Sequence, residues 1–248
     1  MLLLIDAGNT RIKWALAAPG LPVGQWQSMG SVSHADFAQL AAAWPRVPIA
    51  QVLISNVAGD PLAARLSEIL QAQGVSAKAI RWFRAIADCA GVRNGYAQPE
   101  KLGSDRFASL VGARHRFPGE RLLVVTCGTA TTLDALEPDG EFIGGMIAPG
   151  LGTMAESLAI STALLPSVDS VARERVFADN TRDAIVSGCL SAQVGTIVQA
   201  MSQRRDPVAR CLLSGGAAPY IAPHLPIPFE AVDNLVLLGL HASVKETA

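Results

Sequence analysis

Asp6, Gly8, Asn9, Thr10 and Lys13 are gathered in one short stretch, Leu2-Leu3-Leu4-Ile5-Asp6-Ala7-Gly8-Asn9-Thr10-Arg11-Ile12-Lys13-Trp14. One carboxylate stands beside several hydrogen-bond donors, and the glycine lets other atoms come close to the backbone. Amides and an ammonium can hold polyphosphate oxygens while the acid faces a metal ion or its water shell. The same residue types also suit an ordinary hairpin, in which Asp and Asn bond their own backbone. The stretch has a second copy. Leu122-Leu123-Val124-Val125-Thr126-Cys127-Gly128-Thr129-Ala130-Thr131-Thr132-Leu133-Asp134 again runs four apolar residues into a polar residue, a small residue, a glycine and small polar residues. Gly128 follows Gly8 at close to half of the 248-residue chain. Duplication at half-length predicts two similar domains, residues 1–118 and 119–248, facing each other so that their glycine turns clamp a polyphosphate. The copies differ at one telling position, since Thr126 stands where the first has Asp6.

A second constellation lies in the run from Gly91 to Arg106, which is rich in turn formers and has little periodicity. A helix with apolar Phe107, Leu110 and Val111 is expected from about Ser104 to Arg116. Ser104 and Asp105 then sit at its start, where free amides and the helix dipole favour an anion. Ser104 as a plain N-cap is the simpler reading. It leaves the Asp105–Arg106 pair beside a long irregular loop unexplained, and such loops in compact domains often carry function.

The elements that must position these residues read as a mixed α/β protein. Each duplicated stretch is a buried strand, a tight turn and a returning strand. Between them come a strand around Trp26, a helix from His34 to Trp44 closed by Pro45, and a strand from Ile49 to Val57. A helix opened by Asp60-Pro61 and ended by Gly74 follows, then an edge strand from Val75 to Phe83. In the second half, Pro138-Asp139-Gly140 turns a hairpin between residues 131–136 and 141–147. Gly144 to Gly152 leads into a helix reaching about Leu164, and Asp179-Asn180-Thr181 opens a long helix to about Gln203. On that helix Ala184, Ile185, Gly188, Ala192 and Gly195 form a small-residue face that suits the core or a dimer seam, the core being favoured. A strand ends at Gly215-Gly216, the segment from Pro219 to Pro228 reads as a surface connection, and Asp233 to Val244 is a closing helix. Strands interleaved with helices favour mixed sheets flanked by helices.

Composition agrees. Half of the residues are hydrophobic and 17% are charged, with a formal net charge of −1. No global field favours nucleic acid or a membrane surface. Cys89, Cys127, Cys189 and Cys211 are scattered, with no C-x-x-C pair or Cys/His cluster, so neither zinc nor a disulfide framework is expected. Asp6 interrupts the apolar start, and no apolar run is expected to reach the ~18 residues of a membrane helix. The expectation is a cytoplasmic protein.

With these pieces in place the sequence resembles the type III pantothenate kinases. The resemblance is carried by D-x-G-N-T at Asp6–Thr10, by Tyr96…Pro99 leading to L-G-x-D-R at Leu102–Arg106, by G-T-A-T-T at Gly128–Thr132, by G-G-x-I-x-P-G from Gly144 to Gly150, by Asn180-Thr181 and by Gly215-Gly216. It implies two tandem ribonuclease-H-like domains of the actin, sugar-kinase and heat-shock ATPase superfamily, with an inter-domain cleft. It implies phosphorylation of pantothenate by ATP with Mg²⁺, the first step of coenzyme A biosynthesis. Asp6, Ala7, Gly8, Asn9, Thr10, Arg11, Ile12 and Lys13, with Gly128 and Thr129, would hold ATP, Asp6 also meeting the Mg-phosphate. Gly215 and Gly216 would lie near the adenosine. Tyr96, Gly103, Ser104, Asp105 and Arg106 would bind pantothenate, Arg106 meeting its carboxylate, and Thr181 would reach it across a homodimer interface. Asp105 would be the general base. The family holds a monovalent cation, potassium or ammonium, at an acid where this chain has Thr126. A weak or inactive homologue with a regulatory role, and another phosphotransferase of the superfamily, are the rival readings.

Overall fold

The computed structural model of the chain describes residues 1–45, 47–162, 165–166, 176–204 and 209–246. It divides into two compact units, one of Met1–Gly119, Asp139–Phe142 and the stretch from Asn234 onward, the other of Glu120–Pro138 and Ile143–Asp233.

The first unit opens with β1 (Leu2–Ala7), β2 (Arg11–Ala17) and β3 (Ser28–Ser33). It continues with α1 (Leu40–Ala43), β4 (Gln51–Asn56), α2 (Asp60–Ala72), β5 (Ile80–Trp82), β6 (Asp88–Cys89), β7 (Val92–Asn94) and α3 (Ser104–Arg116). Its main sheet has the order β3-β2-β1-β4-β5, with β1 antiparallel to β2 and parallel to β4. Leu3 and Ile5 face a core shared with Phe37, Leu40 and the α2 residues Leu62, Leu66 and Leu70. Leu4, Ala15 and Leu53 face the other way, onto Ala108 of α3. Burial on both faces is why β1 reads as an unbroken apolar run instead of an alternating one.

Three expectations need correction here. The strand near Trp26 begins at Ser28, and Trp26 itself tilts against the His241 ring at 5.3 Å. The helix expected over residues 34–44 shrinks to a 3₁₀ turn at Phe37–Gln39 followed by α1. Ser33 and Asp36 bond each other there, the Ser33 hydroxyl donating to Asp36 Oδ2 at 2.6 Å, which offers the backbone a turn in place of a helix. β5 lies at the sheet edge as expected, but a 3₁₀ turn at Ala77–Ala79 with Ser76 as its cap takes its first half.

The second unit contains β8 (Leu122–Cys127), β9 (Ala130–Leu136) and most of β10 (Glu141–Pro149). α4 (Leu151–Ser161), α5 (Thr181–Gln203), β11 (Arg210–Ser214), α6 (Ala218–Ile221) and β12 (Glu230–Ala231) follow. The expected end of the α4 helix at Leu164 lies outside the described residues. β8 pairs antiparallel with β9 and parallel with β11, repeating the plan of β1 with β2 and β4. Ile185, Cys189, Leu190 and Ile197 of α5 pack on Leu123, Val125 and Leu213. Ala184, Gly188, Ala192 and Gly195 are exposed, so the small-residue face is not core, contrary to the favoured reading. α5 is also long and apolar enough to cross a membrane by length and composition, contrary to expectation; much of its apolar face is core in this fold. The expected surface connection contains α6, whose Ile221 is fully buried.

The closing helix α7 (Leu235–Glu246) belongs to the first unit, not to the second half of the chain. Val236, Leu237 and Leu240 cover the sheet beside α3. A side chain at Gly239 would run into the Ala108 carbonyl, and one at Gly112 into the Leu235 carbonyl. These glycines let the backbones of α3 and α7 touch, which fixes the axis of the helix that bears Asp105.

Candidate active site

In the first unit the register of β1 builds a polar row. Asp6 pairs with Lys13 on β2 and with Ser55 on β4. Directly paired residues project to the same face, so ammonium, carboxyl and hydroxyl stand side by side near the carboxyl ends of two parallel strands, where ligands of open α/β sheets bind. The turn beyond is closed by Gly8, whose N–H donates to the Arg11 carbonyl at 3.1 Å. His34 Nε2 donates to the Gly8 carbonyl at 2.8 Å, and Arg11 Nη2 to Ser31 Oγ at 2.9 Å. Asn9, Thr10 and Arg11 are exposed at the tip.

α3 brings the second constellation to this row. Gly103 is its N-cap, and Ser104 is already helical, so the simple N-cap reading of Ser104 does not hold. The Ser104 hydroxyl instead bonds Ser55 Oγ at 2.8 Å. Asp105 Oδ1 accepts the Arg106 N–H at 2.8 Å. Burial, opposed by Lys13 and reinforced by the charge of Asp105, pushes Asp6 up to about 7. Burial likewise raises Asp105, partly offset by the Arg106 N–H and guanidinium. The charge of Asp105 reaches Asp6, so a divalent cation beside Asp6 would relieve that repulsion.

Arg106 is buried in a box of aromatic rings. Its Nη1 donates to the Tyr96 hydroxyl at 2.9 Å, and its guanidinium carbon lies 5.6 Å from the Tyr96 ring centroid and 6.0 Å from that of Phe142. Tyr96 and Phe142 stack at 5.5 Å. Phe142 reaches this place because Glu141 and Phe142, at the start of β10, pair with Arg93 and Asn94 of β7. Asn94 braces the loop, its Oδ1 accepting from Tyr96 N–H at 3.2 Å and its Nδ2 donating to the Pro99 carbonyl at 3.0 Å. An oriented guanidinium with aromatic walls suits a carboxylate-bearing ligand with an aliphatic body.

In the second unit the equivalent turn is closed by the Gly128 N–H donating to the Ala130 carbonyl at 2.9 Å. It is clasped from both sides. A side chain at Gly150 would collide with the Gly128 and Thr129 carbonyls, and Thr153 Oγ1 donates to the Thr129 carbonyl at 2.7 Å. Gly215, at φ +99, leaves no room for a side chain against Cys127, whose carbonyl accepts from Ala217 N–H at 3.0 Å. Buried Gln193 of α5 accepts from Thr131 Oγ1 at 2.6 Å and donates to the Pro149 carbonyl at 2.7 Å, tying the returning strand to the Gly150 turn. Burial pushes Cys127 up to about 12, so its thiol stays protonated. Thr126 pairs with Thr132 and Ser214, a row of three hydroxyls where the first unit has Lys13, Asp6 and Ser55. The Thr132 hydroxyl is buried without a hydrogen-bond partner among the described residues. Thr181, exposed, opens α5 next to the cap residue Asn180, whose Oδ1 accepts from Asp183 N–H at 3.0 Å.

Of the residues expected from sequence, Asp6 to Lys13, Tyr96 and Gly103 to Arg106 come together in the first unit, while Gly128, Thr129, Thr181, Gly215 and Gly216 belong to the second. His34, Ser55, Asn94 and Phe142 were not anticipated. The parallel pairing of β4 with β1 is the signal that would have found Ser55, because it places Ser55 level with Asp6.

Two mixed sheets, with glycine turns after β1 and after β8, give the fold of the actin-like ATPase and sugar-kinase class. Solved structures agree on that fold. A conserved protein of Campylobacter jejuni assigned to a Baf family of transcriptional activators aligns over 99% of this chain and 98% of its own at TM-score 0.62 and 18% identity. The activator of 2-hydroxyisocaproyl-CoA dehydratase from Clostridium difficile, with bound ADPNP, aligns over 98% and 93% at TM-score 0.53 and 14% identity. Within this class the chain belongs to the type III pantothenate kinase family, whose model matches residues 2–203. It is 52% identical to a type III pantothenate kinase of Janthinobacterium sp. (strain Marseille), over 97% of this chain and 96% of the relative. It is 50% identical to one of Herminiimonas arsenicoxydans, over 100% and 98%.

Proposed function

We propose that this chain transfers the γ-phosphoryl group of ATP to the hydroxyl of pantothenate, giving 4′-phosphopantothenate in the first step of coenzyme A biosynthesis. The observation that carries the reading is the first turn of α3. It sets Asp105 close enough to Asp6 for their charges to interact, and in the next residue presents Arg106 boxed by Tyr96 and Phe142. Arg106 holds the pantothenate carboxylate, and Tyr96, Gly103 and Ser104 line the rest of the acceptor. Asp105 orients the hydroxyl and accepts its proton, a role helped by the burial that raises its carboxyl. Asp6 to Lys13, with Gly128 and Thr129, hold the phosphates, and Gly215 and Gly216 lie near the adenosine. Asp6 is the residue to meet the Mg²⁺ that accompanies ATP, which when bound supplies neutralising charge on the phosphates. The test is ADP release with pantothenate against a panel of sugars, acetate and water. Release with pantothenate alone supports the reading, and release with another acceptor overturns it.

Thr126 bears on a monovalent cation and favours a second reading, a homologue of weak activity with a regulatory role. A hydroxyl offers a cation an oxygen but no charge. We therefore read potassium or ammonium dependence as weak or absent.

A homodimer with Thr181 reaching the partner's pantothenate fits the exposed stripe of Ala184, Gly188, Ala192 and Gly195, where a side chain at Gly188 or Gly195 would meet open space. Exposed Ile143, Met146, Ile147 and Ile160 on the same unit add apolar surface that suits a partner. The four cysteines are all free, which fits a cytoplasmic location.

A further inference from the structure

We propose that Ser55 is a positioning residue for Asp105. Its hydroxyl ties the first turn of α3 to the end of β4 and so holds the base beside Asp6; this rests on the reading of Asp105 as the base. Ser55 is 1% exposed, and its register partner on β1 is Asp6. A buried hydroxyl needs a hydrogen-bond partner, and Ser55 finds it in Ser104 Oγ at 2.8 Å. Ser104 is the first residue of α3 and Asp105 the second. The N-cap Gly103 offers no side-chain bond to this helix start.

Arg106 ties the same turn to the Tyr96 loop, not to β4, and other anchors of α3 act further along. Ala108 packs in the core against Leu237 and Leu240, and Gly112 and Gly239 let the α7 backbone touch. Those contacts fix the helix axis, whereas the Ser55–Ser104 bond fixes where the first turn lies over the β1–β4 edge. Asp105 sits one residue beyond that bond and Asp6 one strand away from it. Displacing a reacting group by about 1 Å costs roughly 10²-fold in rate. The Ser55 hydroxyl can therefore govern turnover through the carboxylate it places.

The test is a double-mutant cycle. kcat and KM for ATP and pantothenate are measured for the unaltered protein, Ser55→Ala, Asp105→Asn and the double variant, with folding followed by circular dichroism. Ser55→Ala is expected to lower kcat roughly 10-fold to 10²-fold with KM for ATP little changed. In the Asp105→Asn background it should lower kcat by less than about 2-fold, since nothing remains for it to position. Ser55→Thr, which keeps the hydroxyl, should recover most of the loss. Near-normal kcat in Ser55→Ala, or the same fold-loss in both backgrounds, overturns the proposal. Near-normal turnover of Asp105→Asn alone removes the base reading itself, and the positioning role with it. If Ser55→Ala does not fold, Ser55→Cys, which keeps the volume and weakens the bond to Ser104, takes its place in the same cycle.

Discussion

Arg106 donates to the Tyr96 hydroxyl at 2.9 Å while its guanidinium lies over the ring of the same tyrosine. The tyrosine thus orients the cation that we propose meets the pantothenate carboxylate with its planar fork. Arg106→Lys keeps the charge but loses the fork. The pantothenate KM is expected to rise at least roughly 10-fold, with the ATP KM little changed. Tyr96→Phe should act in the same direction more weakly. Steady-state kinetics with each substrate varied in turn checks this, and an equal rise in both KM values would place Arg106 elsewhere in the reaction.

Asp6 gives the ligand-free protein a specific pH response. Its carboxyl is raised from 3.8 to about 7, mainly by burial. An acid raised by folding holds its proton more tightly in the folded state. Its contribution is therefore fully present below about pH 4, is lost as pH rises toward about 7, and is flat above. Asp6→Asn removes this dependence. Melting temperatures from pH 4 to 8 should fall more for the unaltered protein than for the variant, and the variant should be the more heat-stable at pH 8. Parallel curves would show that Asp6 titrates normally.

How much of this was legible in sequence depended on range. The duplicated strand-turn-strand, α2, α3, α5 and the edge position of β5 follow from local apolar periodicity and from Pro and Gly at element ends, and the structure carries them. The segment around His34 misled because Ser33 and Asp36 satisfy each other, and His34 serves the Gly8 carbonyl. The outward turn of the small-residue stripe on α5 was illegible because small residues suit a buried and an open face equally. Asp105 and Arg106 stood out by type and by their place at a helix start. Phe142 and Ser55 did not, since each reaches the site through strand pairing between distant segments. The return of α7 to the first unit depends on backbone contact at Gly112 and Gly239, which no periodicity encodes.

Gly150 offers a test of the proposal that the turn at Gly128 and Thr129 holds phosphate. Any side chain there collides with the carbonyls of Gly128 and Thr129. Gly150→Ala must push that turn out of place, so the ATP KM should rise or kcat fall by roughly 10-fold or more while pantothenate binding is kept. Gly152→Ala, at a position with open space for a methyl, is the matched control. Equal behaviour of the two variants would mean that the turn does not hold ATP.

Thr126 separates two accounts of cation use. Activity of the unaltered protein titrated with KCl at constant ionic strength, balanced by a large organic cation, should respond weakly or not at all. Thr126→Asp should strengthen the response without much change in pantothenate affinity, because it adds the missing charge. A steep requirement in the unaltered protein, with half-saturation near or below ~1 mM, would show that the acid is dispensable.

The central claim is that Asp105 serves phosphoryl transfer to pantothenate, and turnover of Asp105→Asn tests it most directly. Its kcat is measured by ADP release at saturating ATP and pantothenate, with ATP binding checked separately by titration. The account predicts a folded protein that still binds ATP and turns over roughly 10²–10⁴-fold more slowly. Turnover near that of the unaltered protein would contradict it.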